Sequence, residues 1–314
     1  MAKKKIPAIV NLVRNYNPEP INHAFQKNVS FSQLSMFRQC PKKWSLQYKE
    51  GHKQYTPTIH TVFGTALHEA VQHYLTIMYD VSAAAADRED IIGLFEEKLS
   101  EEYRIQYKKN NGHFSDAVEL REFFEDGVNI ITHLIKNRGK YFSKRGTYLA
   151  GIEVPILIKP NMRYTNVIYQ GYLDVVLYNE NTGKFDIIDI KTSTNGWNKW
   201  AKKDEDKQFQ LILYKKFFSE TFNVPLENIN IEFFIVKRKL YESEDFVIPR
   251  IQRFVPASGK VKLNKATNAL NEFITKAFTR DGYAEVEHIT TPNNPNNNCN
   301  WCAYHKTHLC PATF

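Results

Sequence analysis

The chain has 314 residues, 42% hydrophobic and 24% charged, which suits one large globular domain with helical additions. No apolar run reaches the roughly 20 residues that a membrane-spanning helix needs, and no signal peptide is visible, so a soluble cytoplasmic protein with no membrane partner is expected. The formal net charge of +8, with basic clusters at Lys3-Lys-Lys5, Lys42-Lys43, Lys202-Lys203, Lys215-Lys216 and Lys237-Arg-Lys239, favours polyanionic partners through counterion release, although scattered lysines are also ordinary solvated surface.

In chain order, residues 1–28 read as a partly disordered basic arm and 29–314 as a single domain. Ser30-Phe-Ser-Gln-Leu-Ser35 offers a helix cap, and that helix carries Cys40 into Pro41-Lys-Lys-Trp44. From Thr61 to Met78, Phe63, Ala66, Leu67, Ala70, Val71, Tyr74, Leu75 and Met78 recur at helical spacing and define one buried stripe. At about 100° per residue, His68 falls on the edge of that stripe and Glu69 points away. Such a histidine is either a half-buried structural residue or a metal ligand. Residues 82–144 form a helix-rich insertion, amphipathic around Ile91 to Tyr107 and Ala117 to Ile135, placed to cover a cleft or guide a strand.

Strands resume at Leu149 to Ile158. Residues 167–178 and 184–192 are β-rich runs separated by Glu180-Asn-Thr-Gly183, an antiparallel hairpin. If the loop closes symmetrically, Asn179 faces Lys184, and counting back sets Asp174 opposite Asp189, with Cβ atoms about 5 Å apart. Lys191 follows Asp189 by two residues and shares its strand face. Asp204-Glu-Asp opens a helix that is apolar nearly all round, with Gln210 and Tyr214 four apart on one face. Ile229 to Val236 reads as a strand and Ala266 to Phe278 as a helix. The order predicts an α/β fold, a central mixed sheet flanked by helices.

Two acids and a lysine then converge on one spot. Without a cation the acid pair is repulsive. A hard cation between them would lower the pKa of bound water and offset charge on a phosphate, while the ammonium orients the attacking hydroxide. The bland alternative is a surface hairpin with solvated charges. Ile187, Ile188 and Ile190 oppose it, because a strand apolar on both faces is buried, and buried charges are paired or metal-bound. Gln210, in a buried helix, needs a polar partner.

The four cysteines, Cys40, Cys299, Cys302 and Cys310, include a Cys-x-x-Cys pair in an Asn/Pro-rich loop from Pro292 to Asn300. Disulfides are unattractive in a chain of this size with no signal peptide, so four thiolates suggest an iron-sulfur or zinc site. His305 and His308 are outside alternatives as ligands. Trp197, Trp200 and Tyr304 are placed to stack bases.

Gly171-Tyr-Leu-Asp174, Asp189-Ile-Lys191, Gln210-x-x-x-Tyr214, Gly64-Thr-Ala-Leu-His68 and the four cysteines together resemble the motifs of the PD-(D/E)XK nuclease superfamily, in its RecB-like and AddB-like branch. That branch includes CRISPR-adaptation exonucleases and stand-alone phage nucleases. The resemblance implies a restriction-endonuclease-like core and a metal-dependent deoxyribonuclease, an exonuclease acting in DNA recombination, replication or degradation. It implies one or two Mg²⁺ or Mn²⁺ ions held by His68, Asp174, Asp189 and the Ile190 carbonyl. Lys191 would position or activate the nucleophile, and Gln210 and Tyr214 would organise the site and the bound strand. Cys40, Cys299, Cys302 and Cys310 would hold a [4Fe-4S] cluster that clips the N- and C-terminal regions together, with Zn²⁺ the alternative. Seven residues separate Cys302 from Cys310, longer than the family's spacing, and His308 stands at the shorter one. The implied partners are DNA and a helicase or recombination protein. A structure-specific endonuclease and a catalytically silent DNA-binding subunit are the rival readings.

Overall fold

The computed structural model describes residues 6–53, 57–142, 145–241, 248–280, 282–284 and 299–311. Its N-terminal stretch departs from the expected arm. Helix α1 (Ala8–Arg14) buries Val10 and Val13 in the main core, and Arg14 donates to the Leu149 carbonyl and to Asp80, each at 2.8 Å. Strand β1 (Lys27–Val29) then joins the sheet. Elements this short carry too few repeats for periodicity to reveal them, and tertiary packing holds them. The Lys3-Lys-Lys5 cluster lies outside the described residues.

Helix α2 (Phe31–Gln39) starts at Ser30, whose hydroxyl accepts the Gln33 N–H, and α3 (Pro41–Trp44) follows directly. Helix α4 (Ile59–Asp80) is closed by a capping box between Thr58 and Thr61. The segment expected to be a helical insertion holds α5 (Ala83–Ala86), α6 (Ile91–Asn110), α7 (Ala117–Lys136) and α8 (Arg138–Tyr141). Strands β2 (Thr147–Ile158), β3 (Val167–Asn179) and β4 (Lys184–Ser193) come next, then α9 (Lys199–Lys203), α10 (Glu205–Phe222), β5 (Ile229–Lys237), β6 (Ile251–Phe254) and α11 (Lys260–Ala277).

The strands form one six-stranded mixed sheet. Asn179 pairs with Lys184, as the loop count anticipates. β2 runs antiparallel along one edge of β3. β1 and β4 share the other edge, β1 parallel at residues 167–169 and β4 antiparallel at 175–179. Residues 170–174 therefore have no strand partner on that side among the described residues. β4 and β5 are parallel, joined through α9 and α10, and β6 closes the far edge.

Both faces are covered, which explains why β4 and β5 are apolar on both sides. One face packs Tyr169, Leu173, Phe185, Ile187, Phe233 and Ile235 against α1, α2, α10 and α11. The other packs Val175, Leu177, Ile188, Ile190, Phe234 and Val236 against α4 and the insertion. The insertion is fastened by charge. Arg238 Nη1, just beyond β5, lies 2.6 Å from Asp126 Oδ2 and 2.8 Å from Glu122 Oε1, with its guanidinium 4.0 Å over the Phe123 ring. Lys239 Nζ is 2.8 Å from Glu122. Most of the charge in the Lys237-Arg-Lys239 cluster is thus neutralised by α7 instead of facing outward. No helix among the described residues is long and apolar enough to cross a membrane.

Candidate active site

The gap on the β3 edge is where the chemistry gathers. The β3–β4 ladder stops at Val175–Ile188, so the next pair in register, Asp174 and Asp189, lies where the strands part. Asp174 Oδ2 accepts the Ile190 N–H at 2.8 Å, a carboxylate taking the place of a missing strand carbonyl.

Helix α4 brings His68 to this fork. Its apolar stripe packs on the sheet, and the edge position aims the ring so that Nδ1 is 3.7 Å from Asp174 Oδ2. Burial, reinforced by the nearby Lys191 charge and opposed by a hydrogen bond to the Ile190 backbone, pulls the imidazole pKa down to about 4. The ring is therefore neutral at neutral pH, with a lone pair free for a metal.

The sequence reading missed Glu153. It sits in β2 between Ile152 and Val154, whose partners Val175 and Leu173 flank Asp174. Its φ of 48° is left-handed, a conformation that non-glycine residues rarely adopt and that concentrates at functional sites. Gln72, buried one helical turn beyond His68, donates through Nε2 to Glu153 Oε1 at 2.6 Å and to the Asp174 carbonyl at 3.2 Å. One donor atom each from His68, Glu153 and Asp174 lie within 4.8 Å of one another. Two signals were present in the sequence: an acid inside the apolar run Gly151-Ile-Glu-Val154, and a glutamine four residues after His68 on the same helix face.

Asp189 stands just outside this trio. It is 1% exposed, its Oδ2 is 2.8 Å from Lys191 Nζ, and its Oδ1 has no hydrogen-bond partner among the described residues. Burial, and then the Asp189 charge, push the Asp174 pKa well up, with Lys191 and the Ile190 N–H opposing. Burial also raises Asp189, against the pull of Lys191. Burial alone would lower the Lys191 pKa, but the charges of Asp189 and Asp174 outweigh it and hold the ammonium. Three acids thus share one half-buried cation, Lys191, among the described residues at the fork. An orphaned buried carboxylate oxygen and a compact N/O donor set fit a hard or borderline divalent ion.

Helix α10 closes the opposite side. Gln210 Nε2 donates to Tyr214 Oη at 3.3 Å, so the polar partner Gln210 needs is its own helix neighbour. Burial keeps the Tyr214 phenol protonated, far above its ordinary range, opposed by the Gln210 hydrogen bond and abetted by Asp189 and Asp174. The ring fits because residue 171 lacks a side chain: a Cβ there would meet Tyr214 Cε1 at 2.7 Å.

The four cysteines converge at a separate place. Cys40 caps α3, its sulfur accepting the Lys43 N–H at 3.4 Å. Burial raises its thiol pKa, opposed by the Lys43 and Lys42 N–H groups, with Cys302 and Cys310 close enough to raise it further. Cys299 is raised by burial and by the other three. Tyr304, buried, donates to the His52 carbonyl and so pins this loop to the N-terminal part, which removes it from base stacking. Most of the Pro292 to Asn300 stretch lies outside the described residues.

A sequence profile of the PD-(D/E)XK nuclease superfamily matches residues 28–311, from β1 to just past the last cysteine. The chain belongs to that superfamily. No curated protein matches it in sequence. Membership in the PD-(D/E)XK superfamily implies a metal-dependent nuclease with DNA as its substrate, and the mixed sheet flanked by helices is the matching restriction-endonuclease-like fold. Within the matched region, Asp174 and the Asp189-Ile-Lys191 run meet at the fork.

Proposed function

We propose that this protein is a RecB-like DNA exonuclease using Mg²⁺ or Mn²⁺. The observation that carries the reading is the fork: Asp174 and Asp189 gathered beside one lysine, with a buried Asp189 oxygen left unpartnered. His68, Glu153 and Asp174 would hold the ion, with Asp189 and the Ile190 backbone alongside. When bound, a divalent ion polarises the phosphodiester and acidifies water. Lys191, kept charged by its acidic neighbours, orients the nucleophile and offsets negative charge developing on phosphate. Gln210 and Tyr214 wall the site opposite α4 and position the strand.

For the cysteine quartet, the resemblance to the AddB-like arrangement favours a [4Fe-4S] clip over zinc. A cluster there joins Cys40 to the C-terminal loop and is structural. A cytoplasmic setting and a helicase or recombination partner belong to the same reading, by resemblance to the branch.

The test incubates protein and Mn²⁺ with end-labelled linear and closed circular single-stranded DNA. An exonuclease degrades the line and spares the circle, an endonuclease cuts both, and a silent subunit leaves both intact. Asp189→Ala and Lys191→Ala should abolish the activity while the protein stays folded. Full activity in either variant sinks the assigned roles. Visible absorbance from thiolate-to-iron charge transfer, lost in Cys40→Ser, separates cluster from zinc.

A further inference from the structure

Strand β4 leads from Lys191 into a turn that the core fixes in place. Gly196 has φ 88°, and a Cβ there would meet Lys237 Cε at 2.8 Å. Trp197 packs on Phe233, ring centroids 4.8 Å apart. Its N–H donates to Gln252 Oε1 at 2.7 Å and its carbonyl accepts from Gln252 Nε2 at 3.1 Å. Asn198 caps α9, and Gln208 of α10 donates to the Lys202 carbonyl at 2.6 Å. Helix α9 is therefore tied down at both ends.

Three residues after the anchored Trp197, Trp200 is 69% exposed. The ammonium groups of Lys199 and Lys203 lie 5.2 and 6.0 Å from its ring centroid. Neither Lys199, Lys202 nor Lys203 has an acidic partner among the described residues. The acids that follow are engaged elsewhere: Glu205 with Lys262 at 2.6 Å and with Lys265, Asp206 with Arg38 at 2.7 Å, while Asp204 caps α10. A large aromatic ring held rigidly in water among free cations has no packing role. The row continues on α10, where Lys207, Gln210 and Tyr214 recur at i, i+3 and i+7 and lead to the fork.

We propose that Trp200, with Lys199 and Lys203, is a subsite for single-stranded nucleic acid. The indole stacks on an unpaired base, the lysines contact the flanking phosphates, and the strand runs along α10 to Lys191. The charge is complementary to a phosphate backbone. A duplex hides its base faces, so the ring selects an unpaired end. This subsite deepens the nuclease reading and rests on it for the strand's destination.

The test measures fluorescence anisotropy of a labelled oligo-dT, and of a blunt duplex of equal length, against the Asp189→Asn protein. Adding Trp200→Ala should weaken oligo-dT binding by about 10-fold or more, while Trp200→Phe retains most of the affinity and the duplex responds far less. Replacing Lys199 and Lys203 by Ala should flatten the log–log salt dependence by about 1.4 for two lost phosphate contacts. Unchanged oligo-dT affinity in Trp200→Ala, or an equal loss on the duplex, overturns the proposal. The surface position of Trp200 means its melting temperature should match the parent's, which excludes misfolding as the cause. If the wild-type protein cleaves no DNA but Trp200-dependent binding persists, the nuclease reading fails and the subsite stands. If cleavage occurs and Trp200→Ala leaves both Kd and KM alone, the subsite alone falls.

Discussion

Two charge clusters lie against the same sheet and are built on opposite principles. At the insertion, Arg238 and Asp126, 11% and 12% exposed, face each other at 2.6 Å, with Glu122 and Lys239 completing a network of alternating sign. At the fork, three acids meet one lysine, and an oxygen of Asp189 is left bare. The first cluster is neutral within itself and holds α7 to the end of β5. The second is incomplete within itself. That difference separates a fastening from a site: a fold tolerates buried like charges only where another component is to complete them.

Substitutions at the two clusters should therefore move stability in opposite directions. The largest effect is on turnover. Asp189→Asn should cost several kcal/mol of transition-state stabilisation, about 10³-fold in rate, yet leave the metal-free protein as stable as the parent or more so. Urea melts in EDTA showing marked destabilisation would contradict an uncompensated fork. Asp126→Asn should do the reverse, costing about 3 kcal/mol because Arg238 loses the buried one of its two counter-charges and keeps only the exposed Glu122, with full nuclease turnover in the remaining folded protein. A melt superimposable on the parent's would show that packing alone secures the insertion. Next, Gln72→Leu should weaken Mn²⁺ binding by about 10- to 100-fold in calorimetry, since it frees Glu153 and loosens the Asp174 backbone. Unaltered affinity would remove Glu153 from the ligand set.

The smallest effect is the pH dependence. Because Asp174 is raised in the folded state, the native protein binds more protons than the unfolded chain above the ordinary carboxylate range, and stability falls as pH rises. His68 is lowered from 6.5 to about 4, so between those values it contributes the opposite slope, and above 6.5 it is neutral in both states. From pH 6.5 upward the metal-free protein should lose up to about 1.4 kcal/mol per pH unit until Asp174 ionises. Asp174→Asn should flatten that slope, and saturating Mn²⁺ should abolish it. A parent and variant with parallel slopes would assign the dependence to another group.

The long elements were legible because they repeat. The stripe from Phe63 to Met78, the runs 167–178 and 184–192, and the Glu180–Gly183 loop each hold enough residues for period and register to be counted, and the observed Asn179–Lys184 pair follows from that count. The same count led to Asp174 and Asp189, but not to the parting of the strands, because the bond from the Ile190 N–H to Asp174 replaces a ladder bond with a side chain. Glu153 and Gln72 each left a local signal but not their partnership: the pairing joins residues 81 positions apart, and no local rule anticipates a left-handed glutamate inside a strand. Arg238 and Asp126, 112 apart, were missed likewise, and their basic half was taken for surface. Trp197, Trp200 and Tyr304 looked alike in the sequence, and burial divides them into two anchors and one exposed ring.

Gly171 has one more consequence. Its φ is ordinary for a strand, so what residue 171 must supply is vacancy and not pliability: the room a methyl group would take is already filled by the Tyr214 ring. The two positions should therefore vary together across descendants of this gene, an alanine at 171 surviving only beside a smaller side chain at 214. Pairwise replacement, Gly171→Ala with Tyr214→Leu, should restore the solubility that Gly171→Ala alone forfeits.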